Sequence, residues 1–290
     1  MALKERDEFS GQVTTGHEWN GIKELNTPVP RLLWIFLISM TVFGVVWTVL
    51  MPSWPGLSGY FRGVLGVDQH QAVRQSLVEA EAERAGWTER LASEDFATLA
   101  EDDAIMDVVR RSGPALFGDN CAGCHGVEAK GNAGYPNVAE APMMWGSDPE
   151  IVAETIRVGI NATHPETRYA EMLAFGRDQM LPGADISLLA DYLTELSDQP
   201  VLAAEDRTTA ETLFAENCAA CHGDDAMGMV DTGAPDLTDA FWIYGGDRST
   251  VRRSIYDGRQ GTMPAWEGRL TTAQIRLLAL YVLDLRGATP

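Results

Sequence analysis

The sequence predicts an all-α chain, one N-terminal transmembrane helix followed by two tandem copies of a small helical domain. Three observations predict it. Leu32 to Met51 runs for twenty residues without a charge. The pentapeptide Cys121-Ala-Gly-Cys124-His125 returns 97 positions later as Cys218-Ala-Ala-Cys221-His222. Around each copy, apolar residues recur with a period near 3.6.

The first thirty residues are polar and precede the apolar run. At 1.5 Å per residue that run spans a hydrocarbon core of roughly 30 Å. Arg31 and the Pro28/Pro30 pair bound it on one side, Pro52-Ser53-Trp54-Pro55-Gly56 on the other, and Trp34, Trp47 and Trp54 suit the interfaces. The run is too long and too late for a cleaved leader, and no small-residue cleavage site follows it. Residues 31–52 are therefore expected to be an anchor. Lys4, Arg6, Lys23 and Arg31 precede it and only Arg62 follows closely, so the positive-inside rule puts residues 1–30 in the cytoplasm and the rest in the periplasm.

Residues 53–111 read as a linker. Gln69–Ser93, rich in Ala, Glu, Gln and Arg, is expected to be an exposed amphipathic helix within it. The repeats follow at 112–200 and 201–290. Beyond the pentapeptides, Gly134-Tyr-Pro136-Asn137 matches Gly233-Ala-Pro235-Asp236 and Ile156-Arg-Val-Gly159 matches Ile255-Tyr-Asp-Gly258. Met172-Leu-Ala-Phe175 matches Met263-Pro-Ala-Trp266, and Leu188–Leu193 matches Leu277–Val282. The offset falls by about eight between Gly159 and Met172, which places an insertion in the first copy within Asn161–Ala170. Each copy should hold a helix running into its cysteines, a middle helix ending at Gly159 or Gly258, and a last helix over Ile186–Leu196 or Ala273–Leu285. Ser147–Glu150, Thr208–Glu211 and Thr271–Gln274 have the capping-box form that starts helices.

C-x-x-C-H is the pattern of covalent haem c attachment, in which two thiols form thioethers and the histidine coordinates iron from one face. One such pentapeptide is also compatible with half a zinc site or a redox dithiol. Two in matched repeats, using all four cysteines of the chain, point to two covalently attached haems c. Cys121, Cys124, Cys218 and Cys221 are the attachment residues, and His125 and His222 the proximal iron ligands. Met172 and Met263, alignment partners that follow those histidines by 47 and 41 residues, are the candidate distal ligands, Met172 with His125 and Met263 with His222. Other methionines compete, Met180, Met143 and Met144 in the first copy and Met227 and Met229 in the second; the main rival of Met172 is Met180, before Leu181-Pro182, and His164 in the insertion is a further candidate. Pro136 and Pro235 are placed to offer a carbonyl to each imidazole.

The chain carries 22 Lys+Arg against 42 Asp+Glu, a net charge of −20, and residues 112–290 hold −14 of it. That balance argues against nucleic acid as a partner and for either a solubilising surface or a field that attracts a basic one. A mean hydropathy of −0.12 excludes a many-span membrane protein.

On these residues the chain resembles the membrane-anchored dihaem c subunit of cbb3-type cytochrome c oxidases. The resemblance takes in Thr15-Gly-His17-Glu-Trp19-Asn-Gly-Ile22-Lys-Glu-Leu25-Asn-Thr-Pro28 before the anchor, Pro52-Ser-Trp54-Pro after it, and both C-x-x-C-H motifs. It implies two tandem cytochrome c domains and an electron-transfer subunit, not an enzyme by itself. The subunit takes electrons from a donor cytochrome c and passes them toward the monohaem c and catalytic subunits that reduce oxygen. In that family the first methionine loop reads Met-Pro-x-Phe-Gly; here Leu173 follows Met172. A free-standing membrane-anchored dihaem carrier is the alternative reading, and a dihaem peroxidase a more distant one.

Overall fold

The computed structural model describes residues 5–197 and 202–287, in two compact units, Met1–Ala82 and Glu83–Pro290.

In the first unit, β1 (Thr14–Trp19) and β2 (Ile22–Leu25) pair antiparallel around Asn20 and Gly21, whose φ angles of 51° and 84° make the turn. Asn-Gly between extended residues is a hairpin signal, since both central residues need positive φ, and the hairpin is a small β addition to the expected all-α fold. α1 (Arg31–Leu50) is the expected apolar helix. Pro30 precedes it, and the backbone N–H of Met51 closes it on Trp47 O. None of its residues is buried within the protein, so its apolar surface has no protein partner here. Two short strands, β3 (Pro55–Gly56) and β4 (Gly59–Tyr60), follow. α2 (Gln69–Ser93) begins in the first unit and ends in the second.

The second unit departs from the expected linker. Leu91 at the end of α2, Phe96 and Leu99 of α3 (Phe96–Glu101), and Ile105, Met106 and Val109 of α4 (Asp103–Asn120) are buried in a core with the last helix of the chain. The Arg276 guanidinium donates to Leu91 O (2.7 Å) and to Glu94 O. Residues 83–111 are therefore part of this body and not a spacer. Their composition hid this because the stretch buries single residues between charges.

The repeat helices form as expected: α4 into α5 (Ala122–His125), then α6 (Pro149–Val158) and α7 (Gly183–Ser197); α8 (Ala204–Asn217) into α9 (Ala219–His222), then α10 (Arg248–Asp257) and α11 (Thr272–Gly287). The caps differ in part. Thr271 and Gln274 form the reciprocal capping box. Asp148, not Ser147, caps α6, and Thr208 lies inside α8 with its hydroxyl on Ala204 O.

The packing is not sequential. The last helix of the second copy, α11, packs on α4 and α6 of the first, while α7 of the first copy packs on α8 and α10 of the second. One core joins Phe117, Val152 and Ile156 to Trp266, Leu278 and Tyr281. The other joins Phe175, Ile186 and Leu189 to Phe214, Val251 and Ile255. Tyr281 meets Phe117 at a ring separation of 5.8 Å, and Tyr192 meets Phe214 at 5.9 Å. Residues 112–200 and 201–290 are thus consecutive in sequence but exchange their last helices in space. Tyr192 and Tyr281 are equivalent residues, so local pattern could not distinguish the two arrangements.

Candidate functional site: two histidine–cysteine turns and two methionine loops

In both repeats a buried phenylalanine, Phe117 or Phe214, ends the long helix, and its carbonyl accepts the N–H of the first cysteine, at 2.7 Å from Cys121 and 2.8 Å from Cys218. A single helical turn then sets both thiols and the imidazole on consecutive steps, and Gly126 and Gly223 end it at φ 76° and 80°. Each cysteine is unpaired. Burial pushes the Cys121 and Cys218 thiols up to about 11, which opposes a redox dithiol, because that chemistry needs a stabilised thiolate. Among the described residues no three His, Cys, Asp or Glu side chains converge as a metal cluster.

The imidazoles are matched atom for atom. His125 Nδ1 lies 3.0 Å from Pro136 O, and His222 Nδ1 lies 3.0 Å from Pro235 O. A carbonyl only accepts, so Nδ1 carries the hydrogen. Nε2 is left bare in the neutral ring, the state a metal requires. Burial lowers the pKa of both rings and favours that neutral form. The loops behind the two histidines border one cavity of about 590 Å³ between the repeats, with Pro136 and Met143 on one side and Pro235 and Trp242 on the other.

The methionine loops are held by the opposite repeat. Met263 exchanges two backbone hydrogen bonds with Ile160, both 2.9 Å, and Met172 exchanges two with Arg259, 2.8 and 3.0 Å. Gly159 and Gly258, the expected stops of the middle helices, have φ of 70° and 71°, and a Cβ on either would come within 2.4 Å of Met263 O or Met172 O. These glycines therefore do two jobs, ending a helix and admitting the partner loop. Half-buried Met263 packs in the core that holds Cys121, and half-buried Met172 in the core that holds Cys218. The expected pairing of His125 with Met172 and His222 with Met263 is accordingly not the one the packing brings together. The exchange of last helices carries each loop across.

The two main competitors of Met172 fall away from the site. The Met180 side chain is exposed. His164 has both ring nitrogens engaged, Nε2 with Glu267 Oε2 at 2.6 Å and Nδ1 accepting the Glu166 N–H at 3.0 Å. Sequence reasoning missed Arg168 and Arg259, whose backbones join the pairs that hold the methionine loops, Arg259 with Met172 and Arg168 with Ile160, the partner of Met263. Each guanidinium bonds a hydroxyl on the middle helix, Thr155 or Ser254, and lies over an aromatic ring, Trp145 or Tyr244, at 4.9 and 4.2 Å. The signal available was their equivalence in the repeat: both lie four residues before the methionine of their own copy, Met172 or Met263, although Arg259 directly follows Gly258 and Arg168, beyond the insertion, lies nine residues after Gly159.

Three family models match the chain: the N-terminal domain of cytochrome oxidase-cbb3, FixP, over residues 11–58; cytochrome c over 111–197; and cytochrome c oxidase, cbb3-type, subunit III over 205–282. The cbb3-type cytochrome c oxidase subunit FixP of Bradyrhizobium sp. (strain ORS 278) is 41% identical, over 98% of both chains. The subunit CcoP of Cereibacter sphaeroides is 41% identical over 99% of both. The chain belongs to the FixP/CcoP family of cbb3-type cytochrome c oxidase subunits. CcoP of Rhodobacter capsulatus is 40% identical, over 94% of this chain and 95% of its own. As a FixP/CcoP chain with cytochrome c domains, it is an electron-transfer subunit of that oxidase, and α1 is a membrane anchor. The residues present fit haem c: two unpaired thiols and a neutral, oriented imidazole on one turn, with a thioether delivered to the same core in each half.

Proposed function

We propose that this chain binds two haems c, through Cys121 and Cys124 and through Cys218 and Cys221. His125 and His222 are the proximal ligands, and Met172 and Met263 the distal ones. Carrying electrons, the chain links a donor cytochrome c to the monohaem c and catalytic subunits of the oxidase and performs no oxygen chemistry of its own. Bound haem supplies reversible one-electron redox chemistry at a potential set by axial ligands, hydrogen bonds and burial. The protein's part is positional. The Pro136 and Pro235 carbonyls fix the imidazole planes and raise ligand basicity, and Phe117, Trp266, Phe214 and Phe175 keep water from the two cores. With haem bound, the thioether of a methionine in each half would occupy the remaining position on the iron and leave none open to exogenous ligands, which suits transfer and not catalysis.

Residues 1–30 lie in the cytoplasm, 31–52 anchor the chain, and everything beyond is periplasmic. The observation that carries the reading is the duplicated His–carbonyl geometry beside unpaired cysteine pairs. A pyridine haemochrome assay with intact mass should report two haems per chain; one or none refutes it. Protease added to spheroplasts should remove residues beyond the anchor, and protection there refutes the orientation.

A further inference from the structure

We infer that residues 54–65 form a lipid-contacting collar: the chain leaving α1 turns back onto the end of that helix and seats its apolar side chains where the acyl chains meet the headgroups. The inference rests on α1 being a membrane anchor and adds where the membrane-bound part of the chain stops.

The first support is the end of α1 itself. The last four carbonyls of a helix have no partner within it and are commonly left to water. Here the protein supplies all four. Trp47 O accepts the Met51 N–H at 2.8 Å, and Thr48 O accepts the Ser53 hydroxyl at 2.9 Å. Val49 O and Leu50 O accept the N–H groups of Val64 and Leu65, at 3.0 and 3.1 Å, from a segment that has returned through the β3–β4 hairpin. The two arms of this return are tied by bonds from the Ser53 N–H to Phe61 O and from the Phe61 N–H to Trp54 O, 3.1 and 2.8 Å. Gly63 admits the close approach: its φ is 73°, and a Cβ there would come within 2.3 Å of Leu50 O. A helix end closed by its own chain at every carbonyl is what a setting poor in water requires.

The second support is composition. From Leu32 to Val67 the only charged residue is Arg62. Trp54, Leu57, Tyr60, Phe61, Val64 and Leu65 are all exposed. In water they would be an apolar patch without a partner. At a bilayer interface the same set is at home, because aromatic rings favour the headgroup level and an arginine can lay its stem along apolar surface while its guanidinium reaches the headgroups. Position selects lipid as the partner. The collar is bonded to the last turn of α1, so it lies at the depth where the anchor ends, and its exposed side chains continue the exposed apolar surface of that helix. At 1.5 Å per residue α1 covers roughly the 30 Å of a hydrocarbon core. The collar is therefore the next layer out.

The test uses the full-length chain, matured with haem so that its own thiols are blocked, at one copy per nanodisc of phosphatidylcholine and phosphatidylglycerol. Leu57→Cys and Val64→Cys each carry one nitroxide, with Val42→Cys in the anchor as the lipid reference and Glu81→Cys, at an exposed position, as the water reference. In power-saturation EPR the labels at positions 57 and 64 should favour collision with oxygen over a water-soluble nickel chelate, severalfold more than the label at 81 and close to that at 42. A nickel preference at 57 and 64 would place the collar in water and overturn the proposal. Low collision with both reagents would mean that protein covers it, and overturns it equally. A nickel preference at 42 would overturn the anchor and the collar with it. Should the cysteine variants not mature, the wild-type chain answers the same question. A phospholipid carrying a diazirine near the glycerol end of its acyl chain, photolysed in the same discs, should modify residues within 54–65 as well as within α1; adducts confined to α1 refute the collar.

Discussion

Two glycines five residues apart in α4 should respond oppositely to the same substitution. A Cβ on Gly118 meets nothing within 4 Å, whereas one on Gly113 meets Tyr281 Cγ and Cδ2 at 2.5 Å and Cβ at 3.0 Å. Both replacements gain up to about 1 kcal/mol of helix propensity, and near the end of the helix Gly118→Ala keeps about 0.5 kcal/mol or more of it. Gly113→Ala sets the same gain against overpacking, roughly 1–3 kcal/mol in a well-filled core, and belongs toward the upper limit because Tyr281 is itself buried and cannot swing away. The propensity gain being shared, Gly113→Ala should be less stable than Gly118→Ala by about 1–3 kcal/mol. For a body of this size that corresponds to a melting midpoint lower by about 2–12 °C. The assay is thermal unfolding of the detergent-solubilised, haem-loaded chain followed by Soret absorbance. Tyr281→Ala should recover part of the loss in a double-mutant cycle, and Tyr192→Ala should not. Equal midpoints for the two glycine variants, or recovery through Tyr192, would refute the exchanged packing of α11.

Acid should loosen the cap of α10. Hydrogen bonds from Ser249 and Thr250 lower the Asp247 carboxyl from 3.8 to about 2, so its stabilising contribution is present above about pH 3.8 and is lost as pH falls through about 2; Asp247→Asn should flatten that limb of the melting curve, and an unchanged limb refutes the assignment. His164→Ala should leave both haem spectra unaltered, since both ring nitrogens are already engaged; a lost low-spin signal would make it a ligand. Electron entry from a basic cytochrome c should slow as salt rises from 0.1 to 1 M, where the Debye length contracts from about 10 to about 3 Å. A salt-independent stopped-flow rate would mean that the −14 charge of residues 112–290 does not steer the encounter.

Much of this was legible because the chemistry is local. C-x-x-C-H holds all the residues proposed for attachment within five positions, and the carbonyls of Pro136 and Pro235 fall where the repeat suggested. The anchor is legible from length and lack of charge alone. The N-terminal hairpin was announced by Asn20-Gly21 but outweighed by the helical remainder. α3 and the end of α2 look like a spacer in sequence because Leu91, Phe96 and Leu99 are isolated apolar residues. Their burial depends on α11, some 180 residues away, and no window statistic reaches that far.

The exchange of last helices was hidden for a different reason. Most contacts across the exchanged helices would be chemically equal in either arrangement. Phe117 and Phe214 are identical, and so are Tyr192 and Tyr281. Arg110 pairs with Asp284 at 2.8 Å and Arg207 pairs with Glu195, but a sequential fold would pair the same signs. A repeat whose halves stay interchangeable carries no information about which half closes which. The information enters only where the copies have diverged at facing positions: arginine against glutamate on one side, tyrosine against glycine on the other. Since each position alone looks like ordinary drift, only the pairing of the two differences encodes the topology. Exchanging them, by Gly176→Glu with Glu267→Gly, should therefore cost more than the separate surface changes suggest. Gly176→Glu drives a side chain into the Tyr256 ring, and Glu267→Gly takes from Arg157 and His164 the carboxylate they share.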